Sequence, residues 1–269
     1  MMNIIRPLGH MLNTITTKEQ GWLAFLLCFS ILLRYILKTS KVAEGKERPI
    51  AYALTTLVAH CHFVKYGVMA LVDGTMLELS HDATSRTMSS GNDNFYQLAQ
   101  ITFAYEIYNT LSALIIPEYR TGEFLGHHIL TMIIAKFAQT QGPDFYGFFY
   151  LGIASLSSLF MVFVDIFRYG PNILRDTFPI LNKIVQVLFA VSFITVRAVT
   201  WPFVSLAFWY DTIEIIRHPP DNGGPWKPYL FMLLLSNTFL GALQIMWAKR
   251  ICKHLAKILR KPEQKVSTE

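Results

Sequence analysis

The chain has 269 residues, of which 52% are hydrophobic and only 16% are charged, and its formal net charge is +6. Its apolar residues form long blocks, which excludes an ordinary soluble domain and indicates a membrane protein. The basic residues flank these blocks and form no stripe interleaved with aromatic residues, so nucleic acid is not an expected partner.

Seven segments are candidate transmembrane helices. A span needs roughly 20 mostly apolar residues, and such segments occur at 22–38, 49–72, 95–117, 124–141, 144–167, 180–210 and 228–249. The fourth is short and polar for a span, and the sixth is long and contains Pro202, which we expect to break or kink it. The predicted fold is an all-α polytopic transmembrane bundle of about seven helices, with six or eight as alternatives.

The distribution of Lys and Arg predicts the orientation in the membrane. Basic residues concentrate after the first segment, near 168–183 and in the C-terminal tail, whereas the connection at 73–94 is acidic. With seven spans the basic segments all fall on one side, so we expect a cytoplasmic C-terminus. The predicted organisation is an N-terminal segment with the first helix (1–44), a transmembrane domain (45–250) and a basic cytoplasmic tail (251–269).

Polar residues inside the predicted spans mark candidate sites, because an ionisable group within a bilayer is costly unless it is paired or hydrated. In the second span His62 and Lys65 share a helical face, and His60 is turned away from it. The third span carries Glu106 and Asn109 on a polar stripe. The fifth and sixth spans add Ser155, Ser157, Ser158, Asp165, Lys183, Gln186 and Arg197.

The adjacent pair His127 and His128 in the fourth span is the strongest candidate for chemistry. Neighbouring residues on a helix point about 100° apart, so we expect one imidazole to face a cavity and the other a neighbouring helix. Glu106, one helix earlier, is placed to hold an imidazole in one tautomer, and such a pair can act as a general base. A catalytic trio of Glu106, His127 and His128 and a purely packing role are both open.

A metal centre is not expected. Imidazoles with a carboxylate suit zinc or non-haem iron, but membrane-bound di-iron desaturases and hydroxylases carry repeated His-rich boxes, and this chain has a single pair. Fatty-acid elongases have a His-x-x-His-His box, and its first position is Phe124 here. We therefore expect no resident cofactor.

The order and approximate spacing of several motifs resemble the TLC-domain family. The motifs are the run 53–62, Tyr105-Glu106-Ile107, the run 123–130 with the double His, the run 155–160, and Phe193 with Arg197 and Pro202. The similarity covers roughly residues 45–250. This family includes ceramide synthases, translocating-chain-associating proteins and regulators of lipid composition.

The resemblance implies a ring of helices around a lipid-accessible central cavity, in the endoplasmic reticulum or a related membrane. The composition of the leader makes a mitochondrial or plastid membrane the alternative. The residues that this resemblance and the polar faces together predict for the cavity are His62, Lys65, Glu106, Asn109, His127, His128, Ser155 and Arg197, with His60 as the alternative to His62.

Three functions remain open, and the first is favoured. The chain binds, moves or regulates membrane lipids without being an enzyme, or it is a ceramide-synthase-like N-acyltransferase that uses acyl-CoA. Ceramide synthases, however, carry a His-Asp-x-x-Asp element after the double His, where this chain has Leu159, Phe160 and Phe163. In the third, it is an accessory subunit of a membrane-protein assembly, with its helices locked by a Glu106–Arg197 type of pair.

Overall fold

The fold is a bundle of long helices. A computed structural model describes residues 15–43, 45–88, 91–139, 143–219 and 227–260, and within these residues the structure is helical and contains no strand. Its long helices are α1 (Thr17–Thr39), α2 (Glu47–Val72), α3 (Asp93–Ile115), α4 (Gly122–Ala138), α5 (Asp144–Tyr169), α6 (Pro179–Arg217) and α7 (Lys227–Arg260). They match the predicted segments, which confirms the all-α polytopic bundle.

Polar caps fix where several of these helices begin. Thr16 accepts a hydrogen bond from the Glu19 backbone N–H, and the Glu19 carboxylate accepts one from the Thr16 backbone N–H at 2.6 Å, which completes a capping box at α1. Asn92 caps α3, and Thr121 caps α4. Both side chains accept a backbone N–H of the first helical turn that would otherwise lack a partner.

Five of the long helices, α1, α2, α5, α6 and α7, are long and apolar enough to cross a membrane. Helix α4 has 17 residues and extends about 25 Å, less than the roughly 30 Å of a hydrocarbon core. Helix α3 has 14 buried residues among its 23 and is buried on nearly all sides between Leu98 and Asn109, so Thr102, Glu106 and Asn109 do not face lipid. The predicted count of about seven spans therefore depends on these two helices.

Ion pairs hold the helix ends together at the end of the bundle that includes the C-terminal part of α7. Lys46, before α2, pairs with Glu118 after α3 at 3.0 Å. Arg250 of α7 makes two hydrogen bonds of 2.7 Å to the carboxylate of Glu123 at the start of α4. These contacts require that consecutive helices run in opposite directions.

A buried ion pair attaches α1 at the opposite end. The Glu19 carboxylate, 1% exposed, accepts hydrogen bonds from Lys136 of α4 at 2.9 and 3.0 Å and from Gln139 at 2.8 Å. Along the rest of α1, Leu26 is the other buried side chain. The position of α1 against the bundle therefore depends strongly on Glu19.

The connection between α2 and α3 is tied down at the same end as Glu19. It contains two short helices, Thr75–Glu78 and Ala83–Met88. Arg86 donates two hydrogen bonds to the Asp211 carboxylate of α6, at 2.6 and 2.8 Å, and the Tyr146 hydroxyl donates to the same carboxylate. This acidic connection therefore covers that end of α5 and α6.

Two π-helical stretches interrupt the longest spans, at Phe148–Ile153 in α5 and at Phe193–Thr200 in α6. The Ala154 N–H donates to the Phe149 carbonyl at 2.8 Å, five residues earlier, as a π-turn requires. Pro202 was expected to break or kink the sixth span. Helix α6 nevertheless continues through Pro202. The π-turns at 193–200 directly precede this proline, which has no N–H to donate to the preceding turn.

The first π-stretch packs directly against α2 at a pair of glycines. A Cβ placed on Gly67 would lie 2.6 Å from the Ile153 backbone nitrogen and 2.7 Å from the Gly152 carbonyl carbon. No side chain fits between these backbones, so glycine at this position allows α2 and α5 to approach closely.

Gly67→Ala should therefore lower the free energy of unfolding by about 1–3 kcal/mol, because the added methyl group forces the two backbones apart. Thermal denaturation in mild detergent, followed by size-exclusion chromatography with fluorescence detection, measures the effect. Gly21→Ala is the matched control, since a Cβ there meets nothing within 4 Å. Equal melting temperatures for the two variants would contradict the close approach of α2 and α5.

Candidate functional site

A central cavity of about 580 Å³ lies inside the bundle. Residues of α2, α3, α4, α5, α6 and α7 line it, mostly with aromatic and aliphatic side chains, and α1 contributes none. The volume is within the roughly 300–1,000 Å³ typical of ligand pockets. The cavity is large enough for a ligand and lies where the resemblance predicted it.

The two ends of the cavity differ in their exposure. At one end the lining residues are buried, namely Ala138, Pro143, Gly147 and Tyr229. At the other end they include the exposed residues Glu118, Thr121, Arg168 and Arg250, which we call the mouth. The cavity therefore opens where the C-terminal part of α7 lies and is closed at the opposite end.

A buried hydrogen-bond network joins α2, α3 and α4 beside the cavity. Nδ1 of His128 donates to Oε2 of Glu106, and Nδ2 of Asn109 lies 3.3 Å from the same oxygen. The Asn109 side-chain oxygen accepts the Tyr52 hydroxyl at 2.8 Å. Glu106 and His128 also line the cavity. The prediction that Asn109 lines it is wrong, because Asn109 is fully buried within this network.

The carboxylate fixes the tautomer of His128. Since Nδ1 carries the proton that Glu106 accepts, Nε2 is the ring nitrogen left for a group in the cavity. The imidazole also contacts the Phe124 ring, with centroids 4.0 Å apart. The Glu106–His128 pair therefore presents an oriented base at the cavity wall.

His127 lies on the neighbouring face of α4 and also lines the cavity. Its ring is 4.9 Å from that of His128 and 5.5 Å from that of Trp247 on α7, both edge to face. Nδ1 of His127 is buried and has no hydrogen-bond partner. The two adjacent histidines thus differ in role, because one is held by a carboxylate and the other is not.

On α2 the structure brings His60 to the cavity in place of His62 and Lys65. His60 is 93% buried, its Nε2 lies 3.2 Å from the Tyr105 hydroxyl, and its Nδ1 has no partner. His62 instead contacts the Val58 carbonyl at 2.9 Å and the ring of Trp22 on α1, and Lys65 is exposed. The prediction that His62 and Lys65 line the cavity is wrong, since their shared face is turned to α1 and outward.

A sequence signal for His60 exists. The buried residues of α2 include Ala53, Thr56, Ala59, His60, Phe63, Gly67 and Ala70, a stripe of mostly small residues at helical spacing. Small residues mark the face on which transmembrane helices approach each other. That face contains His60, whereas the polar character of His62 and Lys65 suggested the opposite one.

Arg197, on the π-stretch of α6, also lines the cavity. Its Nε donates to Ser157 Oγ at 2.7 Å and lies 3.2 Å from the Ala154 carbonyl oxygen. One terminal nitrogen donates to Ser158 Oγ at 2.8 Å, and the other lies 3.3 Å from Oε1 of Gln244. Arg197 is thus held by neutral groups, and the suggested Glu106–Arg197 pair is wrong because Glu106 is paired with His128.

Ser155 lines the cavity, and its hydroxyl donates to the Leu151 carbonyl within α5 at 2.8 Å. Ser157 and Ser158 hold Arg197. Among the described residues, no group of three or more His, Cys, Asp or Glu side chains is placed to hold a metal ion. His60, His127, His128, Ser155 and Arg197 all line the cavity, and we call this group the polar cluster.

Substitutions at Glu106 should show how much this network stabilises the bundle. Glu106→Leu leaves the His128 and Asn109 donors without their acceptor, so we expect a loss of about 3 kcal/mol or more in the free energy of unfolding. Glu106→Gln keeps one acceptor oxygen and should lose less. Melting in mild detergent measures both.

The exposed Glu78 provides the control. Glu78→Leu should change the free energy of unfolding by no more than about 0.5 kcal/mol. A Glu106→Leu protein as stable as this control would show that the network does not hold α3 and α4 together.

The chain matches the model of one protein family. The family model for the TLC domain matches residues 17–253, which includes all seven long helices except the end of α7. Comparisons with curated proteins and with solved structures found no match. The apolar helices and the family match together indicate an integral multi-pass membrane protein. The chain belongs to the TLC-domain family.

Proposed function

We propose that the protein binds a membrane lipid in its central cavity and by doing so senses, moves or regulates that lipid. The observation that carries this proposal is the cavity itself, a space of about 580 Å³ with mostly apolar walls and one polar cluster. Membership of the TLC-domain family supports a role in lipid handling.

The chemistry of the lining supports a lipid over a water-soluble metabolite. Aromatic and aliphatic side chains such as Phe63, Phe189 and Leu240 form much of the wall, and they favour an apolar ligand. Apart from the charged residues at the mouth, the cavity has the polar cluster, in which His60, His128 and Arg197 fix the position of a polar group. A lipid with an acyl chain and a small polar end fits this lining, because the chain contacts the apolar wall and the polar end contacts the polar cluster.

The mouth gives the lipid a route. It lies at the end of the bundle that the charge distribution predicts to be cytoplasmic, and it is flanked by the Glu123–Arg250 ion pair between α4 and α7. With this orientation the lipid enters from the cytoplasmic leaflet. The endoplasmic reticulum or a related membrane remains the expected location, and membrane lipids remain the expected partners.

Filling the cavity should remove the lipid. Thr131 of α4 lines the cavity, so Thr131→Trp places an indole where the ligand lies. We expect the lipid that co-purifies with the protein, measured by native mass spectrometry after mild detergent extraction, to fall at least about tenfold.

The matched control lies two residues away on the same helix. Ile129 is 41% exposed and points away from the cavity, so Ile129→Trp should keep its lipid. A wild-type protein without bound lipid, or equal lipid content in the two variants, would refute lipid binding in this cavity.

The Glu106–His128 pair favours a second candidate, N-acyl transfer from acyl-CoA. In this reaction Nε2 of His128 takes a proton from an attacking amine, the amine nitrogen bonds to the acyl carbon, and the C–S bond breaks. The proton then goes to the leaving thiolate of CoA. Glu106 stabilises the imidazolium that forms in between.

Membranes that contain the protein, incubated with acyl-CoA and a long-chain amine base, test this candidate. If the reaction occurs, His128→Ala should reduce the rate of amide formation by at least about 100-fold, because the base is lost. His62→Ala is the control, since His62 does not line the cavity. If no amide forms, or if His128→Ala forms as much amide as the wild-type protein, acyl transfer by His128 is refuted and the proposal of lipid binding stands.

A further inference from the structure

We infer that the lipid in the central cavity carries a carboxylate, as a fatty acid does, and that this carboxylate binds Arg197. The inference rests on the proposed function, since it names the polar group of the lipid that the cavity takes. The inference is drawn from two observations around Arg197: its positive charge has no anionic partner among the described residues, and nearby N–H donors have no acceptor.

The charge of Arg197 has no carboxylate partner. Its hydrogen-bond partners are two serine hydroxyls, a backbone carbonyl and an amide, all of them neutral. Among the described residues no Asp or Glu lies within ion-pair distance of it. The four carboxylates on the cavity wall each have another partner. These pairs are Glu106 with His128, Glu118 with Lys46, Glu123 with Arg250, and Asp165 with Arg168 at 3.1 Å.

A guanidinium inside a membrane bundle is costly unless an anion compensates it. Arg197 has five N–H donors, and the contacts described above use one on Nε and one on each terminal nitrogen. One N–H therefore remains on each terminal nitrogen. A carboxylate has two oxygens, and arginine frequently binds such a group through two N–H donors at once.

Neighbouring side chains add further donors that lack an acceptor. The indole N–H of Trp201, one turn after Arg197, has no partner although the residue is 5% exposed. Nε2 of Gln244 also has no partner, because the side chain uses its oxygen to contact Arg197. Buried donors without acceptors are rare in proteins. Of these two residues Trp201 lines the cavity, so a ligand there can supply the acceptor that its N–H lacks.

The balance of charge selects a carboxylate over a phosphate. Glu106 and His128 satisfy each other, so Arg197 is the one cation of the polar cluster without an anionic partner in the described residues. A single negative charge neutralises it, whereas a phosphate monoester brings about −1.5 to −2. The cavity volume of about 580 Å³ suits one acyl chain. A long-chain fatty acid meets each of these conditions.

Three ligands with the same 18-carbon chain test the inference: oleate, oleyl alcohol and oleoyl lysophosphatidate. Their affinities for the full-length protein are compared by displacement of a fluorescent long-chain alcohol, which carries no carboxylate, at about pH 9, well above the ordinary carboxyl pKa of fatty acids. Oleate should bind at least about tenfold more tightly than the alcohol, as expected for charge-assisted hydrogen bonds. Lysophosphatidate should bind more weakly than oleate.

Arg197→Gln should remove the preference for oleate, so that oleate and oleyl alcohol bind with similar affinities. Thermal melting in mild detergent shows whether this variant is folded. Arg34→Gln, an exposed arginine on α1, is the matched control and should keep the preference. If Arg197→Gln does not fold, the comparison of the three ligands on the wild-type protein decides.

Two failures are distinguishable. Equal binding of oleate and oleyl alcohol, or tighter binding of lysophosphatidate than of oleate, would overturn the carboxylate assignment and leave lipid binding intact. If none of the three ligands binds, the proposed function itself fails.

Discussion

The hydrogen bond between His128 and Glu106 is the interaction around which the bundle is arranged. A carboxylate within a membrane protein needs donors, and the donors here come from α3 itself, through Asn109, and from α4, through His128. Satisfying Glu106 therefore places α3 at the centre of the helices, with its polar side inward. The short helix α4 is held beside it, and both Glu106 and His128 line the cavity.

The remaining charges are distributed so that few of them meet lipid. Ion pairs join helix ends at both ends of the bundle, Lys46 with Glu118 at one and Glu19 with Lys136 at the other. Between them the outer faces of α1 and α6 are aliphatic and exposed, as the hydrocarbon core requires. Arg197 departs from this arrangement, since it is charged, lies within the bundle and is held by neutral groups.

Hydrophobic length and helical periodicity predict the long helices, and the cost of buried charge identifies Glu106, His127, His128 and Arg197 as residues to examine. The choice between His60 and His62 requires knowledge of which face of α2 meets α5, and polarity alone gives the wrong answer. The pair Glu19–Lys136 joins residues 117 positions apart, so no local pattern reveals it. The first π-stretch lies where the backbones of α2 and α5 meet at Gly67 and Gly152, which only the packed structure shows.

The π-stretches also determine where the chain tolerates a change in length. Each π-turn holds more residues than an α-turn, so it offsets the angular phase of every side chain that follows. Loss of one residue from 198–200 would rotate Trp201 and the rest of α6 by about 100° relative to Arg197. Loops on the surface accept such changes because no packed face depends on their phase. In α6, the number of residues as well as their identity keeps Arg197 and Trp201 on one wall of the cavity.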